Sequence, residues 1–280
     1  MIAEIGINHN GSLETAKQLI EAAKKAGCDA VKLQKRTIEV VYSAEELARP
    51  RENPFGPTNG DLKRGLEFSF EAYCEIDAFC KAQGILWCAS PWDEASVDFL
   101  EKFDVPCHKV AAASLTDKGL LERLKATRKP IFMSTGMSSA EEIAHAVEWL
   151  GKERLILMHC VSLYPAAAKD INLLAMNTLM QRFDVPVGYS GHELDTLISA
   201  CAVSMGACVV ERHLTLSREM WGSDQKASIE PDEMAQLVSN IRTVEDALGS
   251  PELRCLEAEK AVRDKLRRVV YRPERGETTV

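Results

Sequence analysis

The sequence predicts one α/β domain of the (β/α)8, or TIM-barrel, type over residues 1–250, followed by a helix and linker-like tail over 251–280. Three observations lead there. Short apolar runs rich in valine, isoleucine and alanine alternate with stretches whose apolar residues recur at helical spacing, which implies parallel strands joined by helices. The alternation repeats eight times, and eight repeats in 280 residues close into a ring. No GxGxxG or phosphate-loop motif follows the first strand, as an open doubly wound sheet would usually show.

The elements follow in order. Residues 1–7 form the first strand, with Glu4 as an ionisable residue among apolar ones. A turn, NHNGS, leads into helix one, which Ser12 caps and Gly27 ends. Strand two, DAVKLQ over 29–34, carries Lys32. Residues 35–68, with Pro50, Pro54 and Pro57, read as a long irregular loop with a short helix near 44–48, and loops this long are usually functional. Helix two spans 71–83 and strand three 85–89, ending in Ser90, Pro91 and Trp92. Helix three (94–103), strand four (106–112, with Lys109) and helix four (117–126) follow. Strand five (130–133) ends in Ser134 and Thr135, and helix five is 140–150. Strand six (155–160) runs toward Ser162 and Tyr164, and helix six is 171–183. Strand seven (185–189) precedes Ser190, Gly191 and His192. Helix seven (194–205) returns to strand eight (207–210), which precedes Glu211, Arg212 and His213. A polar loop reaches residue 229, and helix eight opens with proline and acids at Pro231, as helix starts prefer.

Composition narrows the function. The net charge of −8 gives no attraction to nucleic acid or to an anionic membrane, although a pocket can be locally basic. The arginine-rich tail reads as a solvated helix, since no reading motif accompanies it. The nine cysteines are odd in number and form no CxxC pair, which suits a reducing cytoplasm better than a disulfide framework. Cys160 is expected in the core or the pocket wall rather than as a nucleophile. No signal peptide is expected before the first strand, and no apolar run reaches the length of a membrane span.

In a barrel of this kind, chemistry sits at the carboxyl ends of the strands. Glu4, Asn8, Lys32, Gln34, Ser90, Lys109, Ser134, Thr135, Ser162, Tyr164, Ser190, His192, Glu211 and His213 all fall there. Two lysines and several hydroxyls suit an anion carrying a phosphate and a carboxylate. His192 and His213 come from neighbouring strand ends, so they form either a divalent-metal site or two separately hydrogen-bonded histidines. Glu4 is either a general acid/base or the partner of a lysine.

Eight segments then carry a resemblance: AEIGINHNGS (3–12), AVKLQ (30–34), SPWD (90–93), STGMS (134–138), HCVSLYP (159–165), GYSGHE (188–193), ERHLTL (211–216) and GSDQKASIEP (222–231). In that order they resemble the sialic acid synthase (N-acetylneuraminate synthase) family across the whole barrel. The resemblance implies condensation of phosphoenolpyruvate with the aldehyde of an open-chain amino sugar, N-acetylmannosamine by default, to give a nonulosonic acid and phosphate. It implies that His192 and His213 hold a manganese or magnesium ion. Lys32, Lys109, Ser90, Ser134 and Ser190 would hold the donor, with Glu4 and Gln34 near the reacting carbons. Ser162, Tyr164 and Asp224 would contact the acceptor. Glu4, Lys32 and Lys109 are thus the expected catalytic set.

Two departures stand out. Ala112 and Ser114 replace a serine and an acidic residue that the family commonly has after the strand-four lysine. Many members also carry a C-terminal antifreeze-like domain that completes the site across a homodimer, and this chain reaches RGETTV about where that domain would begin. The expectation is a truncated sequence or a short variant with a different acceptor. Two alternatives stay open: a related synthase using another or a phosphorylated aldose, bound by Arg36, Lys63 and Arg64, or a catalytically silent sugar-binding barrel.

Overall fold

The computed structural model describes residues 1–269. Its strands are β1 (Ile2–Gly6), β2 (Ala30–Lys35), β3 (Pro50–Asn53), β4 (Gly56–Thr58), β5 (Leu86–Pro91), β6 (His108–Val110), β7 (Ile131–Ser134), β8 (Leu155–Cys160), β9 (Val187–Gly191) and β10 (Val210–His213). β3 and β4 form a separate antiparallel hairpin. The other eight close a parallel barrel in the order β1-β10-β9-β8-β7-β6-β5-β2, with β2 returning to β1. The TIM-barrel reading of the sequence is therefore correct. The compact unit spans Met1–Ala247. A second unit begins at Leu248 and contains the helix Glu257–Leu266. The arginine-rich end of the tail beyond Val269 lies outside the described residues.

Side chains alternate across each strand. Val31 and Leu33, Trp87 and Ala89, and Ala3, Ile5 and Val210 face the surrounding helices in one apolar cluster. Val110, Met133, Leu157, Val187 and Tyr189 do the same in a second cluster on the other side. The alternate positions point into the barrel, and near its carboxyl end they are polar: Glu4, Lys32, Gln34, Ser90, Lys109, Ser134, Ser190, Glu211 and His213. Register makes these residues neighbours. Glu4 lies opposite both Lys32 and His213, Gln34 opposite Ser90, and Glu211 opposite Ser190.

Three sequence expectations need correction. The last barrel strand is Val210–His213, so Glu211, Arg212 and His213 belong to the strand and do not follow it. Likewise Ser190 and Gly191 lie inside β9. An apolar-run criterion stops too early where the inward residues are charged. The stretch 35–68 is also not irregular. It holds short helices at Ile38–Val41 and Ala44–Ala48, the β3–β4 hairpin and a helix at Asn59–Gly65. That last helix starts with a capping box in which Thr58 and Asp61 satisfy each other's backbone N–H groups. Phe55 from the hairpin packs on Gly65, where an added Cβ would lie 2.2 Å from its ring.

Candidate active site

A cavity of about 270 Å³ opens at the carboxyl end of the barrel. Glu4, Lys32, Gln34, Ser90, Lys109, Ser134, Ser162, Tyr164, Ser190, His192 and His213 line it. Of the strand-end and substrate residues picked out from sequence, Asn8, Thr135 and Asp224 stand outside the lining. The Asp224 Oδ2 lies 4.0 Å from Nδ1 of His213. Cys160 is pocket wall, as expected, and its sulfur accepts the Gly136 N–H at 3.2 Å.

The floor is a chain of buried charges. Lys32 Nζ sits 2.8 Å from Glu4 Oε2 and 3.6 Å from Glu211 Oε1, and it donates to Ser90 Oγ at 3.0 Å. Lys109 Nζ reaches both oxygens of Glu211, at 3.0 and 3.2 Å. Ser190 adds a hydrogen bond to Glu211 at 3.3 Å, and Gln34 donates to Glu4 Oε1 at 3.1 Å. All four charged residues are at most 4 % exposed. Glu211 is counted among the strand-end residues from sequence but is given no role there. Ending the strand at Val210 hid that its side chain points inward between the lysines.

The two carboxyls titrate in opposite directions. Burial pushes Glu4 up, and the Glu211 charge adds to this against the pull of Lys32 and Gln34. Burial also acts on Glu211, but Lys109 and Lys32 overcome it and hold this carboxyl at about 2. Lys32 is raised despite its burial by Glu211 and Glu4. Glu211 is the more firmly held anion and Glu4 the more readily protonated carboxyl, because two ammoniums attend the first and the second shares only one. Whenever Glu4 takes a proton, two ammoniums face one carboxylate and the floor has a net positive charge suited to an anion.

The histidines meet in the same cavity at the ends of β9 and β10, with ring centroids 5.5 Å apart. Tyr164 packs over His192 at 4.2 Å. Nδ1–H of His192 donates to the Val161 carbonyl at 2.7 Å, which fixes the tautomer and leaves Nε2 as a lone pair. Nδ1 of His213 is buried without a hydrogen-bond partner. Burial, then the neighbouring His213, lowers His192 to about 4. Burial lowers His213 as well. Two neutral imidazoles, one with a tautomer set from behind and one with an orphaned nitrogen, fit a divalent cation. Among the described residues no third His, Cys, Asp or Glu completes a cage. Such a cation would keep positions open for water and substrate oxygens.

The corner after β6 differs in character. Ala111, Ala112 and Ala113 line the cavity there, and Ser114 turns away into a buried position.

Comparison with known proteins places the chain in a family. The profile described as the NeuB family matches residues 19–252. The chain is 39 % identical over 271 residues to N-acetylneuraminate-9-phosphate synthase of Homo sapiens, covering 95 % of this chain and 76 % of that protein. It is 37 % identical over 280 residues to N,N'-diacetyllegionaminic acid synthase of Legionella pneumophila, covering 96 % and 79 % respectively. Among solved structures, the N-acetylneuraminic acid (sialic acid) synthetase of Leptospira borgpetersenii in complex with citrate superimposes with a TM-score of 0.84 at 30 % identity, covering 96 % of this chain and 92 % of that one. The chain belongs to the NeuB family and is a sugar acid synthase of the phosphoenolpyruvate-dependent kind.

Proposed function

We propose that the chain condenses phosphoenolpyruvate with the aldehyde of an open-chain amino sugar, N-acetylmannosamine or a close relative, releasing a nonulosonic 2-keto-3-deoxy acid and phosphate. One observation carries this reading: a paired-lysine floor and a paired-histidine wall share a single 270 Å³ cavity. Lys32 and Lys109, with the hydroxyls of Ser90, Ser134 and Ser190, hold the phosphate and carboxylate of the donor. Gln34, Ser162, Tyr164 and Asp224 orient the acceptor. His192 and His213 hold a manganese or magnesium ion, which supplies Lewis-acid polarisation of the acceptor carbonyl. The donor's C3 forms the new bond to the aldehyde carbon, water adds at C2, and the C2–O bond to phosphate breaks. Glu4 gives a proton to the acceptor oxygen and takes one from the added water. The lysines stabilise the departing phosphate.

Phosphate release with a panel of aldoses tests this. Release is expected only when phosphoenolpyruvate, an amino sugar and manganese are all present. It is expected to vanish in the variant carrying both His192→Ala and His213→Ala. Undiminished release by that variant overturns the metal role, and no release with any aldose overturns the reaction.

A second reading concerns the acceptor. The cluster expected from sequence does not stand free, because Arg36 is tied to Glu67 at 2.7 Å and Arg64 to Glu39 at 3.1 Å. Lys63 instead joins Arg51 and Lys226 around a 460 Å³ cavity bounded by Asn10 and the Trp221–Ser223 loop, next to Asp224. Three cations against one carboxylate, Glu52, in that lining support a phosphorylated sugar. A higher kcat/KM for N-acetylmannosamine 6-phosphate than for the free sugar, lost in Lys63→Ala, is the expected outcome. A homodimer in the cytoplasm is the setting that the resemblance and the free cysteines support. No helix among the described residues is long and apolar enough to cross a membrane.

A further inference from the structure

Arg212 is among the largest fully buried side chains, at 1 % exposure. It lies between Glu211 and His213 on β10 but faces outward, into the layer between the barrel and the helix Leu197–Ser204. A buried guanidinium needs a partner and acceptors for its N–H groups. Arg212 finds them all in the segment just after β9. Nη1 meets Glu193 Oε1 at 3.0 Å, the Asp195 carbonyl at 2.9 Å and Ser199 Oγ at 2.8 Å. Nη2 donates to the Glu193 carbonyl. The Glu193 carboxylate is held in turn by Tyr189 O–H at 2.8 Å and Ser199 O–H at 2.7 Å.

The carboxylate reaches this position by folding back over Gly191. An added Cβ at Gly191 would lie 2.6 Å from Glu193 Oε2 and 2.7 Å from the Tyr189 ring. Gly191 is also the register partner of Arg212. Sequence order then gives the arrangement its meaning. His192 stands between Gly191 and Glu193, and His213 directly follows Arg212. Both histidine-bearing backbone segments are thus gripped by one ion pair.

We infer that the Glu193–Arg212 pair, with Tyr189 and Ser199, is a positioning device that sets the separation of His192 and His213 for a divalent cation. The inference rests on the metal role proposed above. Free backbone here would let the two rings drift, and a two-histidine site has no third protein ligand to restore them. Partners behind metal ligands typically contribute roughly 10- to 100-fold in metal affinity.

The test measures manganese binding by the free-ion paramagnetic resonance signal, with phosphoenolpyruvate affinity and thermal midpoint read alongside. Tyr189→Phe and Ser199→Ala each remove hydroxyl contacts and leave the ion pair, so they keep the fold. Glu193→Gln removes the charge. Manganese affinity is expected to fall about 10-fold in the hydroxyl variants and further in Glu193→Gln. Phosphoenolpyruvate affinity, which depends on Lys32 and Lys109 across the cavity, is expected to hold. Manganese binding at wild-type strength in Tyr189→Phe and Ser199→Ala overturns the inference. A parallel loss of manganese and phosphoenolpyruvate affinity overturns it too, since that marks general damage. Absence of manganese binding in the unaltered protein overturns the metal role itself and this inference with it.

Discussion

Replacing Glu211 with glutamine is expected to weaken the resting protein and tighten its grip on the donor. Glu211 lies between two buried ammoniums, 3.0 Å from Lys109 and 3.6 Å from Lys32. Glutamine keeps the shape and one acceptor oxygen but removes the charge. Breaking a buried pair this way costs about 3 kcal/mol or more. At roughly 2–4 °C per kcal/mol for a domain of this size, the thermal midpoint falls by about 6–12 °C.

The donor has the opposite response. An anion oxygen hydrogen-bonded to Lys109 at about 2.8 Å lies on the order of 5 Å from the Glu211 carboxylate. At an effective dielectric of about 20, that repulsion is ~3 kcal/mol per pair of unit charges. Relaxation and residual water reduce it, so the expected gain is about 10-fold in phosphoenolpyruvate affinity, or ~1.4 kcal/mol. Calorimetric titration gives the affinity, and scanning fluorimetry with and without phosphoenolpyruvate gives the midpoint. Donor at 100 times its Kd returns about 2.7 kcal/mol and restores most of the lost midpoint. A variant with wild-type stability and weaker donor binding refutes the reasoning, for Glu211 would then be a donor contact and not the resting counter-charge.

Other outcomes follow from the same coordinates. Glu4→Gln is expected to lower kcat by about 10²-fold or more while leaving donor affinity within a few-fold. Because the Glu4 carboxyl is pushed up, its protonated form persists to higher pH, and the variant is expected to lose the alkaline limb of the kcat profile that marks its ionisation. Gly136→Ala places a Cβ 2.5 Å from Ser162 Oγ and 2.8 Å from Cys160 Sγ, so both walls shift and phosphate release falls at least several-fold with little change in midpoint. Asp93→Ala removes hydrogen bonds to Thr37 and Ser96 that hold the stretch after β2 on the start of helix Glu94–Leu100, at a cost of about 2 kcal/mol in urea unfolding. Although burial alone would raise it, those bonds depress the Asp93 carboxyl. Its stabilisation is therefore complete above the unfolded value near 3.9 and lost as pH falls through the lower folded one, so wild type and variant converge in acid.

The barrel was legible because the outward residues of most strands are apolar. Val31, Leu33, Trp87, Ala89 and Leu157 gave a run or an alternation wherever a strand lay. The site was legible for a related reason: lysine among apolar residues is costly unless it faces a partner, which singled out Lys32 and Lys109. The same signal failed at β9 and β10. There the inward positions are Ser190, Glu211 and His213, and the outward Arg212 is charged as well, so hydropathy stopped before the strand did. The excursion 35–68 hid its order differently. Its stability comes from caps and from Phe55 lying on Gly65, contacts that no periodicity announces.

β10 contributes both to the cavity and to the layer behind it. Alternation along four residues sends Val210 and Arg212 outward and Glu211 and His213 inward. Glu211 is the counter-charge shared by both lysines, His213 faces the second histidine, and Arg212 grips the segment that carries it. A slip of one residue in register would turn the arginine into the donor floor and the carboxylate into the helix layer. The pairing of Arg212 with Glu193 opposes that slip, because among the described residues neither charge has another ion-pair partner. The ion pair outside the barrel and the charge chain inside it therefore enforce one alignment of the strand, and the lysine pair and the histidine pair share one cavity only in that alignment.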